Sequence, residues 1–260
     1  MLKNYQMILL IIVSMVVMQF SVYADVQDPR IRVGIDEKLG DIVPLDLTFK
    51  NEQGNDITAA DVIDGKPTIL AFVYYSCPSI CSPLLMEIAS VVNQLDWELG
   101  EHFNILTLSI DEYEDHTLAA EKKQNFLNII QKDVPEESWA FLTADSATIR
   151  EFTDAAGFYF IREGEDFIHS GALIFLSPEG KITRYLFGIK HLPFDVKMAL
   201  IEASQGKVGP TIAKVLRFCF SYDPEGKTYV LNLTRIFGAG ILFLAIVFVI
   251  ILRFKPKKSN

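Results

Sequence analysis

Two cysteines four residues apart are the chemical core of this sequence, in the stretch Tyr74-Tyr75-Ser76-Cys77-Pro78-Ser79-Ile80-Cys81. The apolar run from Ile69 to Tyr75 reads as a buried strand of the kind found inside a parallel sheet. Beyond Cys81 the period changes, and Leu84, Leu85, Ile88, Val91, Val92 and Leu95 fall on one face of a helix. The pair therefore sits where a core strand hands over to a helix N-terminus. Unpaired N–H groups and the positive dipole end there favour thiolate over thiol. That is a setting for reactive or metal-binding sulfur. Soft thiolates select Cu(I), zinc or iron–sulfur clusters. A structural zinc site needs four ligands, and no further cysteine is suitably placed. Cu(I) accepts two or three ligands, so one histidine would complete a site. The bland alternative is a structural disulfide, which would close so small a loop that it stabilises little.

The chain has four histidines to offer: His102, His116, His169 and His191. His102 precedes the second predicted strand, on the sheet edge away from the cysteines, and reads as simply exposed. His116 follows the end of that strand, on the correct edge but in an acidic loop. His169 stands immediately before the first strand of a closing hairpin that should run antiparallel to the cysteine strand, so that its start lies beside the other's end. His191 comes after the last strand, and a surface role suffices for it. Geometry favours His169, with His116 second.

The elements that must position these residues can be read in chain order. Val43 to Phe49 alternates apolar and polar residues, and Asn51-Glu-Gln-Gly54-Asn makes a turn before Ile57, which predicts an N-terminal hairpin. Asp64-Gly65-Lys66-Pro67 is a turn that launches the core strand. After the cysteine helix come a strand over Phe103–Ile110, a helical segment with Leu118, Phe126, Leu127 and Ile130, and a short strand from Trp139 to Leu142. Asp145 or Ser146 can cap the next helix, whose Ile149, Phe152 and Ala156 share a face. Strands alternating with helices predict a parallel sheet with right-handed crossovers. Ala172–Leu176 and Ile182–Phe187 then form a hairpin through Ser177-Pro-Glu-Gly180-Lys, and a helix over roughly Pro193 to Ala203 closes the domain. A β-α-β unit followed by a β-hairpin and a last helix is the thioredoxin architecture. The fold class expected is therefore α/β, thioredoxin-like with an N-terminal hairpin extension, plus a C-terminal transmembrane helix.

Composition and termini bound the rest. The chain has 260 residues, three cysteines and a formal net charge of −9, which allows one good-sized domain with appendages, gives no disulfide scaffold and argues against nucleic acid as a partner. Lys3, the apolar run from Ile8 to Phe20 and the Val22-Tyr23-Ala24 end predict a signal peptide over residues 1–24. Residues 25–38 form a polar lead-in, 39–205 the thioredoxin-like domain and 206–235 a membrane-proximal linker. Within that linker Cys219 lies on an apolar stripe and reads as a small buried hydrophobe. Ile236–Leu252 has no charged residue and approaches spanning length, and Arg253, Lys255, Lys257 and Lys258 form a basic tail over 253–260. Together these predict a protein of the bacterial cytoplasmic membrane with its domain facing the periplasm, where a cysteine pair survives as a disulfide unless something reduces it.

At this point the motifs carry a resemblance. Tyr74-Tyr-Ser-Cys77-Pro78-Ser-Ile80-Cys81, then Leu108-Ser109-Ile110-Asp111, then His169-Ser170 ahead of Leu176-Ser-Pro-Glu-Gly180, resemble the SCO/SenC family over roughly Leu39 to Ala203. The resemblance implies a thioredoxin-fold, membrane-tethered copper chaperone that assembles the copper centre of cytochrome c oxidase. It gives Cys77, Cys81 and His169 the copper-ligand roles, with Cys77 and Cys81 also the redox disulfide. Many members carry an aspartate directly before the histidine, where this chain has Ile168. A C-terminal tether with a Phe-Cys-x-x-Tyr-Asp-Pro stretch, here Phe218 to Pro224, resembles a bacterial subgroup.

The function expected is that of a metallochaperone rather than an enzyme, binding Cu(I), with Cu(II) left open. Its partners would be the copper-site subunit of a respiratory oxidase, a periplasmic thiol reductant, and the membrane through the C-terminal helix. The rival is a thiol–disulfide oxidoreductase that reduces the target's cysteines with the same pair. Such enzymes normally carry a cis-proline just before the hairpin strand, and Ser170-Gly171 stands there instead.

Overall fold

The computed structural model describes residues 33–208, the backbone of residues 220–223 and 228–231, and four positions between 238 and 248. In chain order its elements are β1 (Gly34–Ile35), β2 (Thr48–Lys50), β3 (Asp56–Thr58), α1 (Ala59–Ile63), β4 (Thr68–Val73), α2 (Cys81–Gln94), β5 (Asn104–Ser109), α3 (His116–Leu127), β6 (Trp139–Leu142), α4 (Ser146–Ala155), β7 (Phe158–Tyr159), β8 (Ile161–Glu163), β9 (Asp166–Ile168), β10 (Ala172–Leu176), β11 (Ile182–Phe187), α5 (Pro193–Ser204), β12 (Phe220–Asp223) and β13 (Thr228–Leu231).

The central sheet has the order β11-β10-β4-β5-β6. β4, β5 and β6 run parallel, as their intervening helices require. β10 pairs antiparallel with β4, and β11 antiparallel with β10. β4 is buried along its whole length, which is why it carries no alternation. Phe126 stacks on Phe141, Trp139 meets both rings at a tilt, and the Trp139 indole N–H donates to Thr107 Oγ1 at 2.9 Å. Phe49 and Phe72 meet the Phe152 ring edge-on. Asp115 caps α3 and Asp145 caps α4, each carboxylate accepting backbone N–H groups of the first turn. The Thr117 hydroxyl and then the backbone N–H groups hold the Asp115 carboxyl below the ordinary aspartate range, and the Thr148 N–H and then its hydroxyl do the same for Asp145.

The α/β thioredoxin-like expectation is met, and so is the N-terminal hairpin, as β2 and β3. The expected membrane-spanning helix is not. Among the described residues no helix is long and apolar enough to cross a membrane, and most of Ile236–Leu252 lies outside them. Apolar character and length made that stretch a candidate, and crossing a bilayer takes one apolar helix of about twenty residues, which the described residues do not hold. The signal peptide, Cys219 and the basic tail also lie outside the described residues.

The chain divides into two compact units, one of Glu37–Gly157 with Gly171–Asn260, the other of Met1–Asp36 with Phe158–Ser170. The first contains the central sheet. In the second, β1 pairs antiparallel with β7, and β8 with β9. The β8–β9 connection is the two-residue loop Gly164-Glu165, with Gly164 at φ 67, which its missing Cβ permits. Phe160 meets Phe167 edge-on, and the Arg162 guanidinium lies 4.3 Å from the Phe167 ring centroid. This pair of ribbons was not foreseen.

Candidate functional site

β4 ends at Val73, two residues earlier than its apolar run suggested, and Tyr74 and Tyr75 continue buried in irregular backbone. The Tyr75 side chain explains the difference. Its hydroxyl donates to the Leu142 carbonyl at 2.8 Å and its ring stacks on Phe141, so it fills the core beyond the strand. Cys77 follows, its N–H donating to the Tyr74 carbonyl at 3.2 Å. Cys81 is the first residue of α2, behind an Ile80 cap that offers no side-chain acceptor. All six apolar residues assigned to the inner face of α2 are buried.

Both cysteines are reduced thiols and both are buried. The Ser79 N–H lies 3.4 Å from Cys77 Sγ and donates to it. The Cys77 side chain accepts a hydrogen bond from the Cys81 thiol. That bond and burial together push the Cys81 thiol well up, while a backbone bond from Tyr74 works the other way and the Glu114 charge adds to the rise. The helix N-terminus was expected to favour thiolate at this pair, and at Cys81 that expectation fails. A sulfur that bonds its neighbour in the protonated form, away from water, keeps its proton against the helix dipole.

The pair can do two things. Two sulfurs on one turn offer two soft ligands, and they can close to a disulfide by losing two electrons and two protons. Among the described residues no group of three or more His, Cys, Asp and Glu side chains is arranged to hold a metal ion. Two sulfurs alone suit a soft ion of low coordination number, whereas structural zinc takes four ligands.

The histidines separate clearly. His169 belongs to the second unit, directly after β9 and three residues before β10. Its ring lies 5.9 Å from that of Phe158, and Nδ1 is 3.1 Å from the Ser170 carbonyl. A carbonyl only accepts, so Nδ1 carries a proton in this contact, and in the neutral ring Nε2 is then the acceptor nitrogen. His116 is the first residue of α3 and packs its ring over Gly54, in a cleft shared with Glu112, Asp115 and Asp145. His102 stacks on Trp97 with ring centroids 5.5 Å apart. His191 is not a surface residue: it is buried, and the Glu87 carboxylate on α2 accepts its backbone N–H at 3.1 Å.

Glu114 was missed. Its Oε2 accepts from the Tyr75 N–H at 2.7 Å and from Ser109 Oγ at 2.6 Å, and its Oε1 accepts from the Ser76 N–H at 2.7 Å. In sequence it is one more charge in an acidic loop. The buried pair of Lys123 with Glu52 was likewise hidden, because Glu52 read as part of a turn and its partner is 71 residues away.

Comparison with known proteins places these features in context. An Aquifex aeolicus protein provisionally assigned to electron transfer shares 26% identity, covering 65% of this chain and 95% of its own, with a TM-score of 0.59. Arabidopsis thaliana ScoI, solved with copper bound, shares 20% over 63% of this chain and 98% of its own, TM-score 0.51. BsSco, described as having a disulfide switch and as a member of the Sco family of cytochrome c oxidase assembly proteins, shares 19% over 66% and 96%, TM-score 0.50. No curated protein matches the sequence. The SCO1/SenC family model matches residues 38–193, well over half of the 260 residues. That match runs through both cysteines, Glu114, His169 and every strand of the central sheet, and the chain belongs to the SCO1/SenC family.

Proposed function

We propose that the protein is a copper metallochaperone for a respiratory cytochrome c oxidase. Cu(I) would be carried by the thiolates of Cys77 and Cys81, with His169 Nε2 as third ligand, and passed to the copper-site subunit by exchange with that subunit's own soft ligands. The observation that carries this is the reduced, hydrogen-bonded sulfur pair at the start of α2. Two soft sulfurs on one turn are what a two- or three-coordinate Cu(I) ion takes, whereas structural zinc takes four ligands. The Nδ1–H bond to Ser170 supports His169 by leaving Nε2 as the acceptor nitrogen. Copper in ScoI and oxidase assembly in BsSco are properties of those relatives, and they motivate the choice of cargo and destination. The leader-like residues 1–24 support work outside the cytoplasm, where a thiol reductant would be required to keep the pair in its binding form.

The sulfur pair also favours a second reading, a thiol–disulfide oxidoreductase acting on the target's cysteines. Cys77, the sulfur that accepts from Cys81, would attack, and Cys81 would resolve the mixed disulfide. Copper stoichiometry on the reduced protein decides between them. The carrier reading expects one Cu(I) per chain, lost in both Cys77→Ser and Cys81→Ser. An unmutated reduced protein that held no copper against a weak Cu(I) chelator, yet reduced disulfides rapidly, would put the oxidoreductase first.

A further inference from the structure

The backbone that delivers Cys77 is held by a carboxylate from another element. Tyr75 and Ser76 leave the sheet with their N–H groups unpaired by any strand, since β4 stops at Val73. Glu114 meets both, one oxygen to each at 2.7 Å, and its Oε2 also takes the Ser109 hydroxyl at 2.6 Å. The loop that presents Glu114 is itself braced. Asp111 N–H donates to Ser109 Oγ at 3.1 Å, Tyr113 N–H to Asp111 Oδ1 at 3.0 Å, and Glu114 N–H to the Asp111 carbonyl at 3.2 Å. Val73 and Ser109 are register partners on parallel strands, so both chains emerge at one edge of the sheet and the clasp joins them there. Ion-assisted bonds of this length are the strong kind.

We propose that Glu114 is a positioning residue for the cysteine pair. By fixing the backbone of Tyr75 and Ser76 it holds the Cys77 sulfur within bonding reach of Cys81, and so sets the balance between dithiol and disulfide. This deepens the function proposed above, because the same positioned pair is the one that would carry copper. The physical step is entropic. A disulfide, like a bound ion, requires both sulfurs to be ordered, and a backbone already clasped loses less freedom on closing. The clasp reaches only as far as Ser76, so Cys77 to Ile80 is the part left to adjust between the two states.

The test is equilibration of the full-length, metal-free protein with glutathione. One glutathione disulfide takes two electrons and two protons from Cys77 and Cys81, giving the protein disulfide and two glutathione thiols. Glu114→Gln has the shape of the parent but one acceptor oxygen for two backbone N–H groups, and turns an NH₂ toward one of them. Glu114→Ala removes the clasp entirely. The equilibrium constant for forming the protein disulfide is expected to fall at least threefold in Glu114→Gln and about tenfold in Glu114→Ala, the latter about 30 mV for two electrons. Hydrogen exchange at the Tyr75 and Ser76 amides should quicken in step. A constant within twofold of the parent in Glu114→Gln, or a raised one, overturns the proposal. So does a lowered Tm with the constant unchanged, which would make Glu114 only a structural brace. If Glu114→Ala does not fold, Glu114→Gln decides on the same threshold. Because no copper is present, the result is independent of whether the parent binds Cu(I), which the stoichiometry experiment settles.

Discussion

The two edges of the central sheet are built from different materials. At the edge where β4 and β5 begin, the polar groups close on one another, and the charged ones form ion pairs: Lys66 with Asp64 before β4, and Lys132 with Glu98, which precedes β5. Asn104, buried at the start of β5, donates from Nδ2 to the Val62 carbonyl at 2.8 Å and the Ile63 carbonyl at 3.3 Å, capping the end of α1. His102 stacks on Trp97 nearby in sequence and accepts the Glu98 N–H on Nδ1 at 3.1 Å. At the edge where the same strands end, the groups are thiols and carboxylates: Cys77, Cys81, Glu114 and the capping Asp115. At the first edge the polar groups named serve to hold turns and helix ends in place. The second holds groups whose charge and bonding can change. Ligands in open α/β sheets gather outside the carboxyl ends of the strands, and here the division is drawn in residue chemistry.

The largest effect that would break this contrast belongs to histidine. If His169 completes a copper site, His169→Ala leaves a two-sulfur site, and losing 2–3 kcal/mol of ligation weakens Cu(I) binding by roughly thirty- to over a hundredfold. His116→Ala, at the start of α3 on the same edge as the cysteines, is expected to bind like the parent, because its ring packs on Gly54. Competition with a Cu(I) chelator measures both. Equal affinities in His169→Ala and parent would remove His169 from the ligand set.

How much of this was legible in the sequence follows from where the information lies. The cysteine pair, the buried strand before it and the helix after it are local, and the ends of β6, β10 and β11 fall where period and turn residues put them. The Asp145 cap was visible for the same reason. Glu114 was not, because its partners Tyr75 and Ser76 are 39 and 38 residues away and nothing local distinguishes it from Glu112. His191 was misread because a surface role was inferred from its place after the last strand, whereas the residue is buried and Glu87 on α2 accepts its backbone N–H. The fate of the cysteine protons was misjudged too: a helix N-terminus is a sequence signal, but the Cys77–Cys81 hydrogen bond that outweighs it at Cys81 is a matter of packing.

The opposite edge supplies the next effect in size. Asn104→Ala leaves the buried Val62 carbonyl without its 2.8 Å donor, and is expected to cost about 1–3 kcal/mol of stability. Copper affinity and the disulfide equilibrium should not move. Urea unfolding with unchanged m-value, beside the chelator competition, checks this. A loss of copper affinity in a variant that remains folded would show that the two edges are coupled and the contrast drawn too sharply.

The smallest effect tests whether a histidine on the reactive side can behave like the sealed edge. His191 follows β11, which runs parallel to β4, so it lies toward the same edge as the cysteines, yet it is buried. Burial pushes its pKa down; the Glu87 and Asp195 carboxylates and a hydrogen bond to the Gly188 backbone oppose this without overcoming it. The unfolded chain, with an ordinary histidine near 6.5, therefore takes up the proton first as pH falls. In that window the unfolded state binds more protons, so stability rises with pH and is lost as the pH drops below about 6.5. One proton contributes at most about 1.4 kcal/mol per pH unit. Carboxylates titrate lower, so the interval from pH 7 to 5.5 is where His191 should be visible. His191→Gln is expected to be less stable at pH 7 but to lose less between pH 7 and 5.5 than the parent. Parallel stability profiles over that interval would mean that water reaches the ring and His191 titrates as an ordinary surface histidine.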